Sequence, residues 1–120
     1  MIVFDIIELE YVWKEKKVLQ CEIKVNGMMD RAVWLVINHQ LKDKATWQDF
    51  IEVFRSHEDV KDERWRGEFF GKQMRGGCYA YMYTQDEELY DILTWACKSL
   101  LETQDEWGRI STYTTEHEFC

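Results

Sequence analysis

Hydrophobic and polar residues alternate along much of the first forty positions, which is the pattern of β-strands. Residues 17–25 alternate cleanly, and residues 3–13 do so with one change of phase that a β-bulge accommodates. Asn26-Gly27 follows, a dipeptide favoured in tight hairpin turns. Residues 32–37 form an unbroken apolar run, typical of a strand buried on both faces. The pattern predicts a three-stranded meander.

Two later segments instead carry the 3.6-residue period of amphipathic helices. The apolar stripe of the first, which begins at Thr46, consists of Trp47, Phe50, Ile51 and Phe54. The stripe of the second consists of Leu89, Ile92, Leu93, Ala96 and Leu100. Thr84 and Glu87 have the spacing of a capping box, which predicts that the second helix begins there.

The remaining apolar segments are short and read as strands. These are residues 65–70, 78–83 and 109–115, with the glycine-containing stretch 71–77 as a loop between the first two. The predicted order is βββ-α-ββ-α-β. This is an α+β fold, a mostly antiparallel sheet with two helices packed on one face. A length of 120 residues favours a single domain over residues 1–120.

Composition narrows the class of protein. The chain is 46% hydrophobic and holds six Trp, six Tyr and six Phe, which argues against disorder. No stretch approaches 18 apolar residues, and the first residues have no basic leader pattern, so we expect a cytoplasmic protein with no membrane span. The four cysteines are scattered and read as free thiols of a reducing compartment.

Negative charge is concentrated in the last third of the chain. Residues 84–120 hold nine carboxylates against two cations, so this part carries −7 of the net charge of −8. A one-sided field of this sign repels nucleic acid and anionic membranes and speeds encounter with a cationic protein. We therefore expect a basic protein partner and no nucleic-acid partner.

Helix capping explains the acids at positions 86–88, but not the acids that follow them. Together with two nearby tryptophans, these form a candidate partner-binding face with aromatic anchors. The predicted partner-binding residues are Asp91, Trp95, Glu102, Asp105, Glu106 and Trp107. The alternative is that the same acids are solvated surface with no partner.

No catalytic, cofactor-binding or metal-binding residue is predicted. His57 and His117 are the candidates for an acid–base pair, but neighbours in sequence do not make a base. The histidine, acid and cysteine spacings fit no zinc or calcium motif. Residues 75–83 (RGGCYAYMY) match no phosphate-binding loop, and their tyrosines are interpreted as cross-strand packing rather than as a base-stacking face.

The chain as a whole resembles the immunity proteins of bacterial polymorphic toxins, including the contact-dependent growth-inhibition type. TWQDFIEVF and TQDEELYDILTWACKSLLE are the two helices that such an α+β protein needs. The resemblance implies a non-enzymatic inhibitor that binds a cognate cationic toxin, commonly a nuclease. The alternatives are a phage anti-defence protein that mimics DNA charge and a small histidine-dependent enzyme.

Overall fold

The structure, a computed structural model, describes residues 24–57 and 66–116. Within these ranges the chain is helical and contains no strand. The four α-helices are α1 (Met28–Val36), α2 (Lys44–Ser56), α3 (Arg66–Thr84) and α4 (Glu87–Leu101). A π-helical segment (Ile37–Leu41) continues α1 directly. None of these helices combines the length and the hydropathy that a bilayer span requires.

The predicted α+β sheet is therefore wrong for the part of the chain that the structure describes. The apolar run 32–37 lies in α1 and at the start of the π-helical segment, and residues 66–84 form one continuous helix rather than strand, loop and strand. Residues 109–115 have no regular structure. The predicted strand 3–13 and most of 17–25 lie outside the described residues. Both predicted helices are present, as α2 and α4.

The misread segments carry a helical stripe as well as an apparent alternation. Along α1 and the π-helical segment, the core-facing residues are Val33, Ile37 and Leu41, spaced four apart. Along α3 they are Phe70, Met74, Gly77 and Tyr81, spaced four, three and four apart. These spacings keep one helical face on the core. Burial on one side of a helix therefore outweighed local β-propensity, which is a weak preference.

The predicted turn at Asn26-Gly27 is instead the start of α1. Gly27 is the N-cap residue, with φ of 79°, a conformation that suits glycine. The N-cap of α2 is Asp43, whose carboxylate accepts hydrogen bonds from the Ala45 N–H and the Thr46 hydroxyl. The N-cap of α4 is Asp86 rather than Thr84, and its Oδ1 accepts from the Leu89 N–H at 2.8 Å.

Trp47 is the centre of the core. Its side chain is fully buried, and its Nε1–H donates to the Leu41 carbonyl oxygen at 2.8 Å. The ring meets Phe70 edge to face, with 5.6 Å between the ring centroids. Trp47 thus joins α2 to the π-helical segment through a hydrogen bond and to α3 through an aromatic pair worth about 0.5–1.5 kcal/mol beyond its burial.

Helices α3 and α4 follow each other with only Gln85 and Asp86 between them and pack together. Gly77 marks a close approach, because a Cβ built there lies 2.5 Å from Leu93 Cδ2. Gly76, one residue earlier, has no atom within 4 Å of such a Cβ. The two neighbouring glycines therefore face different surroundings on the same helix.

A partly buried ion pair links the end of the π-helical segment to the start of α4. Lys42 Nζ lies 3.0 and 3.1 Å from the two carboxylate oxygens of Asp86 and 2.7 Å from Glu88 Oε2. Burial pushes the pKa of Asp86 up, but the Leu89 N–H and the Lys42 ammonium outweigh it, so that pKa lies below its usual value. The hydrogen bond to Glu88 in turn raises the pKa of Lys42, against the effect of burial.

We expect Gly77→Ala to be less stable than Gly76→Ala by about 1–3 kcal/mol. Both substitutions gain the same helix propensity, about 1 kcal/mol, so their difference isolates the crowding against Leu93. Urea unfolding of the two variants measures this difference. Equal stabilities would show that α3 and α4 do not approach each other closely at Gly77.

We expect Asp86→Asn to lower the free energy of unfolding by about 1–2 kcal/mol at pH 7. Asn caps helices as well as Asp, so the change removes the charge opposite Lys42 and keeps the cap. Because the folded pKa of Asp86 is depressed, its contribution is complete above the unfolded pKa of about 4 and disappears as the pH falls through the folded pKa.

Chemical unfolding of wild type and Asp86→Asn between pH 7 and pH 2 tests this: the two stabilities should converge in acid. Asp91→Asn is the matched control, because Asp91 is exposed on the same helix. We expect the control to stay within about 0.5 kcal/mol of wild type. A constant gap between wild type and Asp86→Asn at every pH would contradict the ion pair.

Candidate functional site

A groove of about 690 Å³ lies between α1 and α3, and this volume is in the range of small-molecule sites. Helix α1 and the π-helical segment form one wall, and α3 forms the other. The first wall consists of Met29, Ala32, Val33, Val36, Gln40 and Leu41. The second consists of Phe69, Lys72, Gln73, Gly76, Tyr79, Ala80 and Tyr83, and Phe50 of α2 completes the lining.

Most of this lining is apolar, and part of it is unusually exposed. Tyr79 is 64% exposed and Met29 is 63% exposed, although both carry large apolar surfaces. Phe69 stacks on Phe50 with 6.4 Å between the ring centroids. The Lys72 ammonium lies 5.8 Å from the centroid of the Phe69 ring. Gly76 leaves the α3 wall open, because it places no side chain in the groove. The groove therefore presents aromatic surface to solvent.

The polar groups within this lining are the amides of Gln40 and Gln73, the Lys72 ammonium and the hydroxyls of Tyr79 and Tyr83. Gln40 Nε2 donates to Gln73 Oε1 across the groove at 3.3 Å. Gln73 Nε2 is buried and has no hydrogen-bond partner, and it is the one such side-chain atom in the described ranges. Lys72 adds a positive charge on the same wall.

A carboxylate stands at each end of the groove without lining it. At one end Glu68 pairs with Lys72 at 2.6 Å. At the other end the Tyr83 hydroxyl lies 3.0 Å from Asp30 Oδ1 and 3.1 Å from the Val25 carbonyl oxygen, and it accepts from the Val25 N–H at 3.3 Å. Glu68 and Tyr83 are 15 residues apart on α3, which places the two ends about 22 Å apart.

This separation decides what the groove can do chemically. Two carboxyl groups that act together on one bond stand within about 10 Å of each other, so Asp30 and Glu68 do not form such a pair. No carboxylate belongs to the lining contributed by the described residues. The groove therefore offers apolar surface together with amide, hydroxyl and ammonium groups.

The described cysteines are free and lie outside the groove lining. Burial raises the pKa of the Cys78 thiol. Burial and the neighbouring Cys78 raise the pKa of Cys97, whose Sγ lies 3.8 Å from Met74 Sδ. A raised pKa lowers the fraction of thiolate, which is the nucleophilic form of cysteine. In residues 24–57 and 66–116, no three His, Cys, Asp or Glu side chains gather as a metal site.

The predicted partner-binding residues lie on α4 and on the turn after it. Asp91, Glu102, Glu106 and Trp107 are exposed, and the exposed fraction of Trp107 is 80%. Trp95 packs partly against the core with the Lys44 ammonium over its ring at 5.3 Å. Their role in binding a partner stays a prediction.

Asp105, the remaining member of that set, organises the turn itself. Its Oδ1 accepts from the Trp107 and Arg109 N–H groups, and its Oδ2 accepts from Arg109 Nε at 2.9 Å. These bonds, first of all the one from the Arg109 N–H, hold the pKa of Asp105 below its usual value. Asp105 thus stabilises a turn, and Asp86 caps a helix.

His57 also has a structural role. It ends α2 with φ of 53°, and its Nδ1–H donates to the Ser111 carbonyl oxygen at 3.0 Å. This bond fastens the segment after α4 to the end of α2. His117, its predicted acid–base partner, lies outside the described residues.

None of the groove residues was predicted as a site from the sequence. A signal was present, because Phe69, Gln73, Gly76, Ala80 and Tyr83 follow a helical period beside the buried stripe of α3. The interpretation of residues 71–77 as a glycine loop hid it. Tyr79 and Tyr83 share the groove face, whereas Tyr81 turns away and packs against Tyr90 at 5.2 Å. The three tyrosines therefore do not form one row.

A protein-family model for the catalytic domain of GH127 β-L-arabinofuranosidases matches residues 9–119. A search of curated proteins and a search of solved structures gave no match to this chain. The family match overturns the interpretation as a toxin immunity protein, its two alternatives and the expectation that the chain is no enzyme. The acidic composition behind that interpretation is in part structural, since Asp86 and Asp105 hold a cap and a turn. The chain belongs to the family of GH127 β-L-arabinofuranosidase catalytic domains.

Proposed function

We propose that this protein takes part in the hydrolysis of β-L-arabinofuranosides and that the groove between α1 and α3 binds the sugar. The observation that carries the proposal is the family match over residues 9–119. The groove supports it independently, because its size and its mixture of aromatic and amide groups suit a carbohydrate.

A furanoside presents two kinds of surface. Its C–H groups form apolar patches, which pack on aromatic rings because the ring faces are electron-rich. The rings of Phe69, Tyr79 and Tyr83 lie along α3 and offer such faces, and those of Phe69 and Tyr79 are exposed. Its hydroxyl groups need donors and acceptors, which Gln40 and Gln73 offer.

The groove serves binding and positioning rather than bond cleavage. Hydrolysis of a glycosidic bond generally uses a proton donor and a second carboxylate close to the anomeric carbon. The groove lining contributed by the described residues has no such pair. Binding energy from groups remote from the reacting bond still accelerates the reaction, because it orients the substrate.

The cytoplasm stays the predicted location of the protein. The described cysteines, Cys78 and Cys97, are both free. Free thiols are typical of reducing compartments.

Gly76→Trp tests whether the groove binds the substrate. The new side chain starts at an open position of the groove wall, so we expect kcat/KM for an aryl β-L-arabinofuranoside to fall at least about tenfold, or about 1.4 kcal/mol. The measurement is release of the coloured aryl group, with the α-L anomer as a substrate control.

Gly71→Trp is the matched control. Gly71 lies on the same helix, is equally exposed and open, and does not line the groove. We expect it to hydrolyse the substrate at close to the wild-type rate, and thermal melts check that both variants fold. Absence of hydrolysis by wild type would contradict the proposed activity, and equal losses in the two variants would contradict the groove as its binding site.

A further inference from the structure

The amide nitrogen of Gln73 is a buried polar atom of the groove for which the folded chain provides no partner. Its Oε1 accepts from Gln40 Nε2, but its Nε2 is buried with no partner. Leaving a buried donor unpaired typically costs about 1–3 kcal/mol. A helix surface position such as this accommodates many apolar side chains at no such cost.

Exchanging the oxygen and nitrogen of the amide does not remove the problem. The two amides would then meet nitrogen to nitrogen unless Gln40 turned as well, and Gln73 would bury an unpaired oxygen instead. In either assignment the Gln40–Gln73 pair satisfies one polar group of Gln73 and leaves the other without a partner. The groove therefore contains an unmet hydrogen-bonding requirement.

We propose that Gln73 determines ligand specificity by hydrogen bonding through its amide to an oxygen of the bound sugar, a hydroxyl or ring oxygen of a furanoside. This inference rests on the proposed function and names the residue that forms hydrogen bonds with the polar groups of the ligand. Gln40 is the second member of the pair, on the opposite wall.

The hydrogen bond between the two amides is weak enough for a hydrogen bond to the ligand to replace it. Its length of 3.3 Å lies beyond the usual range of about 2.7–3.2 Å for N–H···O bonds, and Gln40 is exposed. The buried nitrogen of Gln73 reaches a ligand through rotation of its side chain, which breaks only this long bond. A ligand oxygen then supplies the acceptor that the free protein lacks.

The neighbouring lining makes this bond selective. Val33, Val36, Ala80 and Phe69 offer no hydrogen bond from their side chains, so an oxygen of the ligand that misses Gln73 loses its water without replacement. A sugar that places a hydroxyl at Gln73 is favoured over an analogue that lacks it, as expected for a site built around a buried polar group.

Gln73→Leu tests the proposal through two readouts of opposite sign. Removing an unpaired buried amide should leave the melting temperature of the free protein unchanged or raise it. The same change should weaken binding of methyl β-L-arabinofuranoside by about 10- to 100-fold, measured by isothermal titration calorimetry. A residue with a purely structural role would lose stability instead.

Two further variants keep the test interpretable. Gln73→Met removes the amide with a more flexible side chain and should behave like Gln73→Leu. Gln48→Leu is the control, because Gln48 is an exposed glutamine of α2 outside the groove lining, and it should bind as wild type does.

The outcomes separate this inference from the proposed function. The inference is overturned if wild type and both Gln73 variants bind the furanoside with equal affinity. It is also overturned if the melting temperature of the Gln73 variants falls further than that of Gln48→Leu, or if wild type binds no furanoside. Furanoside binding that depends on Gln73, without hydrolysis of the aryl glycoside, supports the inference and overturns the proposed activity. Hydrolysis of the aryl glycoside at the same rate by wild type and the Gln73 variants supports the proposed activity and overturns the inference.

Discussion

The fold depends on the hydrogen bond that the buried indole N–H of Trp47 makes inside the core. A buried indole must find an acceptor for its N–H, and this one finds the carbonyl of Leu41 at the end of the π-helical segment. That carbonyl has no partner within its own helix end, so one bond meets two requirements. Because Phe70 packs on the same ring, α3 is fixed relative to the π-helical segment. Both walls of the groove are positioned in this way.

The paired glycines of α3 show how one helix serves packing and binding at once. Each glycine in a helix interior costs roughly 0.5–1 kcal/mol relative to alanine. Gly77 offsets this cost by allowing Leu93 of α4 to approach the backbone. Gly76 gains no such contact, and its effect is the open groove wall. Gln73 also sacrifices stability on the same wall, because its amide nitrogen is unpaired. Local costs of this kind concentrate where proteins bind ligands.

Charge composition was a poor guide to function here. Two acids of the last third serve local structure: Asp86 caps a helix and pairs with Lys42, and Asp105 holds a turn with Arg109. Acids that serve the backbone are needed at helix starts and turns whatever the protein does. The groove, in contrast, is lined mainly by apolar, aromatic and amide side chains, and Lys72 is its one charged group among the described residues. Family membership, not charge, is the basis of the proposed role in carbohydrate hydrolysis.

The sequence by itself determined that α2 and α4 exist, because their apolar stripes are regular. It did not determine their starts, since the N-caps are Asp43 and Asp86 rather than the threonines at 46 and 84. It did not determine α3, where four glycines and an alternating tail also fit strand, loop and strand. Only tertiary packing decided that segment, since Phe70 against Trp47 and Gly77 against Leu93 require one continuous helix. The groove is likewise a tertiary product, because Gln40 and Gln73 are 33 residues apart and meet only when α1, its π-helical continuation and α3 lie side by side.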